Sequence, residues 1–415
     1  MDNRKSTYGI FIIGSLFFVF GFVTWLNSLL IPFLKTACQL TDFQSTFVTF
    51  AFYISYFVMS IPSAMILKRT GYGNGMALGL VIMAIGAAFF IPAAMNRSYI
   101  IFLIGLFAQG VGLSLLQTAS NPYVTILGPV ETAARRMSIM GICNKVAGMI
   151  GIIVLSSVLF GGTEKLNQTI LTTTDPVAKD TLLQQLSNQI ILPYIIITFM
   201  LIALFIFVKA AHLPEIQEDN ETVEDGDTTK TIWDYPYLWF GILAIFFYVG
   251  AEVLAIDYLP NYGKYCGLAE PVARNLGAFS LVALVVGYLL GIVLIPKVVS
   301  QRLALVIQLL LAVILTIVAL CTTGLVSVVA IICLSFAHAI MWPAIWPLSI
   351  HDLGRHTQFA SALLVMAIAG GALIPLVYGK LTDMYNPKIA YSILFVSYIY
   401  ILYFATVGYK IKKKQ

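Results

Sequence analysis

The chain has 415 residues, of which 60% are hydrophobic and only 10% charged, with a formal net charge of +5. A soluble domain carries about 25% charged residues, so this composition, with a mean hydropathy of +0.91, excludes a soluble globular fold and points to the bilayer. The small positive charge is what membrane topology produces on its own, and nothing in it calls for nucleic acid.

A helix crosses about 30 Å of hydrocarbon with about 20 apolar residues. On that rule the first half should hold spans near residues 8–34, 44–67, 74–95, 99–127, 134–160 and 191–211. Six more are expected near 236–260, 271–296, 303–322, 325–351, 357–381 and 388–409. The first run is longer than the apolar core of a signal peptide and has no small-x-small cleavage site, so it reads as a retained span. Between the sixth and seventh runs, residues 212–235 form a polar break whose acids run from Glu215 to Asp227. That composition reads as a solvated, acidic cytoplasmic linker. The expected organisation is therefore an N-terminal six-helix bundle at 1–211, the linker at 212–235 and a C-terminal six-helix bundle at 236–415. An even number of spans leaves both termini on one side. Taking that side as cytoplasmic collects Arg4, Lys5, Lys68, Arg69, Arg135, Arg136, Arg302 and the C-terminal lysines there, as the excess of basic residues in cytoplasmic loops requires. The cysteines Cys38, Cys143, Cys266, Cys321 and Cys333 have neither zinc-site nor disulfide spacing and read as small core residues.

The two halves resemble each other. "FFVFGFVTWLNSLLIP" (17–32) lies over "FFYVGAEVLAIDYLP" (246–260), with Phe17 and Phe18 on Phe246 and Phe247, Gly21 on Gly250, and the prolines one position out of register. Duplicated halves are a transporter architecture, with the binding site near mid-depth where the repeats meet.

Polar residues inside spans are costly and mark pathways. In the first span Thr24, Asn27 and Ser28 follow i, i+3, i+4 spacing and should share a helical face; the repeat places Asp257 opposite Ser28. In the fourth, Ser114, Gln117, Asn121 and Thr125 form a polar stripe, whose amides both donate to and accept from hydroxyls. Lys145 lies nine residues beyond Arg136, about 13 Å deep at 1.5 Å per residue, and needs an anion or a wet cavity. Glu252 and Asp257 are the deep carboxylates available to it. They stand about 140° apart on a regular helix, so either they serve different neighbours or the helix is irregular near Gly250 and Pro260; Asp257 is also near enough to a span end to touch water. In the tenth span His338 and Trp342 share a face, above Pro343 and Pro347, which should bend the helix. His338 is suited to carry a proton or to pack by a hydrogen bond, and Trp342 to stack on a sugar or to fill core. No metal-ligand spacing or nucleophile motif supports an enzyme.

These residues carry a family resemblance. "GFVTWLNSLLIPFLK", "FAFYISYFVMSIPSAMILKRTGY", "LLQTASNPYVTILGP", "NKVAG", "FFYVGAEV" and "GGALIP" resemble the fucose, glucose and galactose permease family of the major facilitator superfamily, over nearly the whole chain. The resemblance implies an all-α membrane protein of 12 transmembrane helices in two pseudo-symmetric six-helix bundles, alternating access, and ion-coupled uptake of a monosaccharide across a bacterial inner membrane. Asn144 matches an asparagine of the family's sugar site. Two departures stand out: Ser28 and Gln117 replace acids found in members near the fucose permease. Gln117 and Glu252 are similar to the glucose and galactose branch.

The expectation is a symporter for a neutral hexose, acting as a monomer in the lipid bilayer with both termini cytoplasmic. Its sugar site would comprise Thr24, Asn27, Gln117, Asn121, Asn144 and Trp342. Coupling would fall to Glu252, Asp257, Lys145 and His338, with a proton or sodium as the coupling ion and no other cofactor or metal. Facilitative sugar uniport, and export of drugs or amphiphiles, are the competing transport readings.

Overall fold

The computed structural model describes residues 3–126, 133–160, 164–210, 231–295, 298–351, 353 and 356–411. Among them are 12 helical segments long and apolar enough to cross a membrane: Ile12–Ala37, Asp42–Thr70, Tyr72–Met95, Tyr99–Ser120, Ile139–Val158, Pro176–Ala210, Pro236–Asp257, Glu270–Leu294, Gln301–Cys321, Gly324–Ile350, Phe359–Met384 and Pro387–Lys410. Every expected span is present, and no strand occurs among the described residues. Most of the expected linker, residues 211–230, lies outside the described residues. Its end holds a short turn, Ile232–Asp234, capped reciprocally by Thr231 and Asp234.

Burial follows the logic of a membrane interior. Large apolar side chains such as Ile100, Phe199, Val293 and Ile399 are exposed, whereas Asn27, Lys145, Glu252, Asp257 and His338 are buried. In lipid the outward face can be apolar because no water is there to repel it, while polar groups gather where other protein groups can meet them.

The first and seventh spans are both interrupted near the same aligned position. Helix Asn3–Trp25 gives way at Leu26 to Asn27–Ala37; helix Pro236–Asp257 gives way at Tyr258 to Leu259–Tyr265. Pro260 accounts for the second break, because a proline removes one backbone donor and crowds the carbonyl four residues earlier. Pro343 acts in the same way in the tenth span, which breaks between His338 and Met341. The aligned glycines both sit at tight crossings: a Cβ on Gly21 would lie 1.7 Å from the Asn144 carbonyl oxygen, and one on Gly250 would lie 2.4 Å from Ile374 Cδ1. The first span thus crosses the fifth as the seventh crosses the eleventh.

The stretch between the expected spans 134–160 and 191–211 is largely helical. Between the fifth and sixth membrane crossings run helices Glu164–Thr172 and Pro176–Asn188. Asp175 caps the second by accepting from the N–H groups of Val177 and Ala178, with Pro176 at the first helical position, where its missing donor costs nothing.

The end of the molecule opposite the termini is closed by contacts between its early and late spans. The Asp383 carboxylate accepts from the backbone N–H groups of Asp42 and Phe43, at 3.0 Å each. The Thr49 and Tyr258 hydroxyls meet at 2.7 Å, Tyr258 packs edge-on to Tyr378, and Ser28 packs on Gly277. Beyond this seal a cavity of about 710 Å³ is lined by Lys35, Gln39, Lys179, Asn261, Lys264 and Tyr265, among others.

Candidate functional site

Lys145 projects from the helix Ala133–Phe160 towards the seventh span, where its Nζ lies 3.0 Å from Glu252 Oε1. Both side chains are 9% exposed. Of the two carboxylates open to Lys145 from sequence, Glu252 is the direct partner. Burial removes the hydration of both charges, so each depends on the other: a buried pair of this kind is of modest net worth, yet removing one member costs about 3–5 kcal/mol.

The pair has a third member that the sequence did not single out. Trp25, 3% exposed, lays its ring 3.9 Å from Lys145 Nζ, within the range of a cation–π contact. Its indole Nε1–H donates to Asn144 Oδ1 at 3.0 Å, and Asn144 Nδ2 donates to the Phe17 carbonyl at 3.4 Å. Asn144 is itself half-buried. Tyr248, one turn before Glu252, also interacts with its side chain. The chain Asn144, Trp25, Lys145, Glu252 thus links the first, fifth and seventh spans. A tryptophan between Thr24 and Asn27 was the available signal, but its significance depends on partners more than a hundred residues away.

Other expected site residues divide by environment. Gln117 is half-buried and donates to the Tyr56 hydroxyl at 3.2 Å. Thr24 and Asn27 are buried, and Thr24 Oγ1 and Asn27 Nδ2 have no hydrogen-bond partner. Leu26 between them keeps right-handed helical dihedrals, φ −64° and ψ −19°, and its carbonyl accepts from the Leu30 N–H, so the interruption leaves the chain on a helical path. Ser28 donates to the Trp25 carbonyl, closing the break. Asn121 lies in the helix Tyr99–Ile126, and its side chain, like that of Thr125, lies outside the described residues.

Asp257 is fully buried and neither carboxylate oxygen has a hydrogen-bond partner. The alternative that it touches water at a span end is therefore overturned: the side chain is packed inside although Asp257 is the last residue of its helix. His338 is also fully buried, with Nε2 2.8 Å from the Tyr398 hydroxyl. It does not hydrogen-bond to the Lys145–Glu252 pair, and its Nδ1 has no hydrogen-bond partner. Trp342 is half-buried, stacked on Trp346 at 5.2 Å and 6.2 Å from the Tyr248 ring.

Chemically, the site offers amide and hydroxyl groups of both donor and acceptor character beside a sealed ion pair. This suits a neutral, polyhydroxylated ligand near a group able to change charge. Among the described residues no cluster of His, Cys, Asp or Glu is arranged to hold a metal ion.

Comparison with known proteins gives a consistent picture. Residues 13–375 match the Major Facilitator Superfamily. The chain is 34% identical over 398 residues to a glucose/galactose transporter of Brucella abortus, covering 95% of this chain and 92% of that one. It is 29% identical over 409 residues to the L-fucose-proton symporter of Escherichia coli, covering 95% and 93%. Among solved structures it is similar to the Major Facilitator Superfamily transporter FucP in the outward conformation, with a TM-score of 0.77 and 28% identity, over 98% of this chain and 99% of that one.

Proposed function

Because the chain belongs to the Major Facilitator Superfamily, and within it to the family of fucose, glucose and galactose permeases, we propose that it imports a neutral hexose by ion-coupled symport. The observation that carries this reading is the buried Lys145–Glu252 pair, 3.0 Å long, linked through Trp25 to Asn144, which we assign to the sugar site. The printed activities of the relatives supply the sugar. The name of the Escherichia coli relative favours a proton as the coupling ion.

The pair explains how an ion is coupled. While Glu252 is ionised, it balances Lys145 in a medium that cannot hydrate either. A proton reaching Glu252 discharges the carboxylate and leaves the ammonium in need of another acceptor. A sugar hydroxyl or the unpartnered Asp257 carboxylate would serve. After the proton is loaded the ammonium keeps its charge, and a neutral sugar hydroxyl would solvate it by accepting a hydrogen bond, so proton and sugar each favour the binding of the other. Asn27, Gln117, Asn121 and Asn144, with Thr24 and Trp342, form the sugar site in this reading. His338 supports the tenth span rather than carrying the ion.

Movement follows from the seal at the end away from the termini. With both termini in the cytoplasm of a bacterial inner membrane, that end faces outward. The structure is then the state closed to the outside, and the bundles 1–211 and 236–415 rock against each other across the linker 212–235, each carrier acting as a monomer. The test is purified protein in liposomes with acid-outside and sodium gradients imposed separately, following radiolabelled glucose, galactose and fucose. Accumulation above equilibrium under the acid gradient is expected. Accumulation under sodium alone would reassign the ion, and mere equilibration under both would make the protein a uniporter.

A further inference from the structure

Asn144 and Lys145 are neighbours in sequence, so their side chains leave the helix about 100° apart. One flat group touches both. The Trp25 indole donates its N–H to Asn144 Oδ1 at 3.0 Å and presents its face to Lys145 Nζ at 3.9 Å. Its freedom to move is small: a Cβ on Gly148, one turn further along the same helix, would lie 2.3 Å from Trp25 Cδ1, so the ring is seated directly on that glycine.

Both ends of the Asn144 amide are engaged within the protein, Oδ1 by Trp25 and Nδ2 by the Phe17 carbonyl. Each end keeps one further site, a lone pair on Oδ1 and an N–H on Nδ2, so a sugar hydroxyl that donates to Oδ1 shares that oxygen with the indole. Indole N–H is a donor without an accepting lone pair, so it cannot bond the incoming hydroxyl in turn and can only compete with it for Oδ1. The weakened bond loosens the ring edge, and the ring that shifts is the surface on which the ammonium rests.

We propose that Trp25 is a positioning residue that transmits sugar occupancy at Asn144 to the Lys145–Glu252 ion pair, and so sets the coupling between cargo and ion. This rests on the sugar-transport reading above. Coupling of this kind is a free energy shared by two sites, and it is reciprocal: the state of the ion pair alters sugar affinity by the factor with which sugar alters the pair.

The test is therefore a double-mutant cycle read out as the half-saturation concentration of sugar exchange in liposomes. Glu252→Gln, which discharges the pair, is expected to shift half-saturation at least about threefold when Trp25 is present. In the Trp25→Phe background, which keeps a ring face over Lys145 but removes the N–H, the same substitution should shift it by less than half as much. Gly148→Ala retains every group of the relay but pushes the indole off its seat, and is expected to blunt the shift likewise; it carries the test if Trp25→Phe does not fold. An equal Glu252→Gln shift with and without the indole N–H, and again in Gly148→Ala, overturns the proposal while leaving sugar transport intact. If Glu252→Gln changes neither half-saturation nor uphill accumulation in the otherwise unaltered chain, the underlying reading fails first.

Discussion

Lys145 and Glu252 stand 107 positions apart in the chain and meet at 3.0 Å between the fifth and seventh spans, with the ring of Trp25 against the ammonium. A charged pair so placed is sensitive to the loss of one member and tolerant of the loss of both. Lys145→Met alone should lower the stability of the purified carrier by about 3–5 kcal/mol. The double substitution Lys145→Met with Glu252→Gln should recover a large part of that loss, because no uncompensated charge remains. Thermal midpoints in detergent decide this, and a double variant less stable than the single one would contradict it.

The glycine crossings make a sharper packing prediction. On Gly21 and Gly370 a Cβ would fall 1.7 Å and 1.8 Å from backbone oxygens, those of Asn144 and Phe246. Backbone cannot rotate away as a side chain can, so Gly21→Ala and Gly370→Ala should each prevent accumulation of folded carrier. Gly141→Ala is the control: its Cβ would meet Tyr288 at 3.7 Å, an ordinary contact, and alanine improves helix propensity by about 1 kcal/mol. Near-normal yield is expected for Gly141→Ala alone.

The seal at the end opposite the termini should yield to removal of its acceptor. Asp383 accepts from the N–H groups of Asp42 and Phe43, a capping arrangement whose loss costs about 0.5–2 kcal/mol. Asp383→Ala should move the population towards the state open at that end by a factor of roughly 2 to 30. Spin labels on the exposed residues Leu171 and Val272, on either side of this end, should report longer distances in the variant. An unchanged distance distribution would remove Asp383 from the gate.

Sugar recognition is separable from coupling at Gln117. Its amide donates to the Tyr56 hydroxyl and its side chain is half-buried. Gln117→Ala should raise the half-saturation concentration for hexose about tenfold, the equivalent of about 1.4 kcal/mol for one hydrogen bond, without changing the ion dependence. Export of an amphiphile, the competing transport reading, has no use for this amide, and an indifferent Gln117→Ala variant would favour it.

The spans were legible because lipid imposes one rule on every crossing segment, and runs such as Gln301–Cys321 satisfy it without reference to anything else. The helix Pro176–Asn188 was less visible, since it is short and partly polar, although Asp175 followed by Pro176 is a recognisable start signal. Depth along the fifth span showed that Lys145 needed an anion or a wet cavity. The choice of Glu252 over Asp257 did not follow from depth, because it depends on how two helices are rotated about their axes. Trp25 was hidden for a related reason: in sequence it is one aromatic among many, and only the crossing enforced by Gly21 and Gly148 brings it between Asn144 and Lys145.

The central claim is that Glu252, held by Lys145, carries the ion that drives the sugar. The direct measurement is accumulation of labelled hexose in proteoliposomes under an acid-outside gradient, comparing the unaltered chain with Glu252→Gln. The unaltered carrier should concentrate sugar above equilibrium, while Glu252→Gln should exchange sugar across the membrane and bring it only to equilibrium. Equal uphill accumulation by the two would contradict the account.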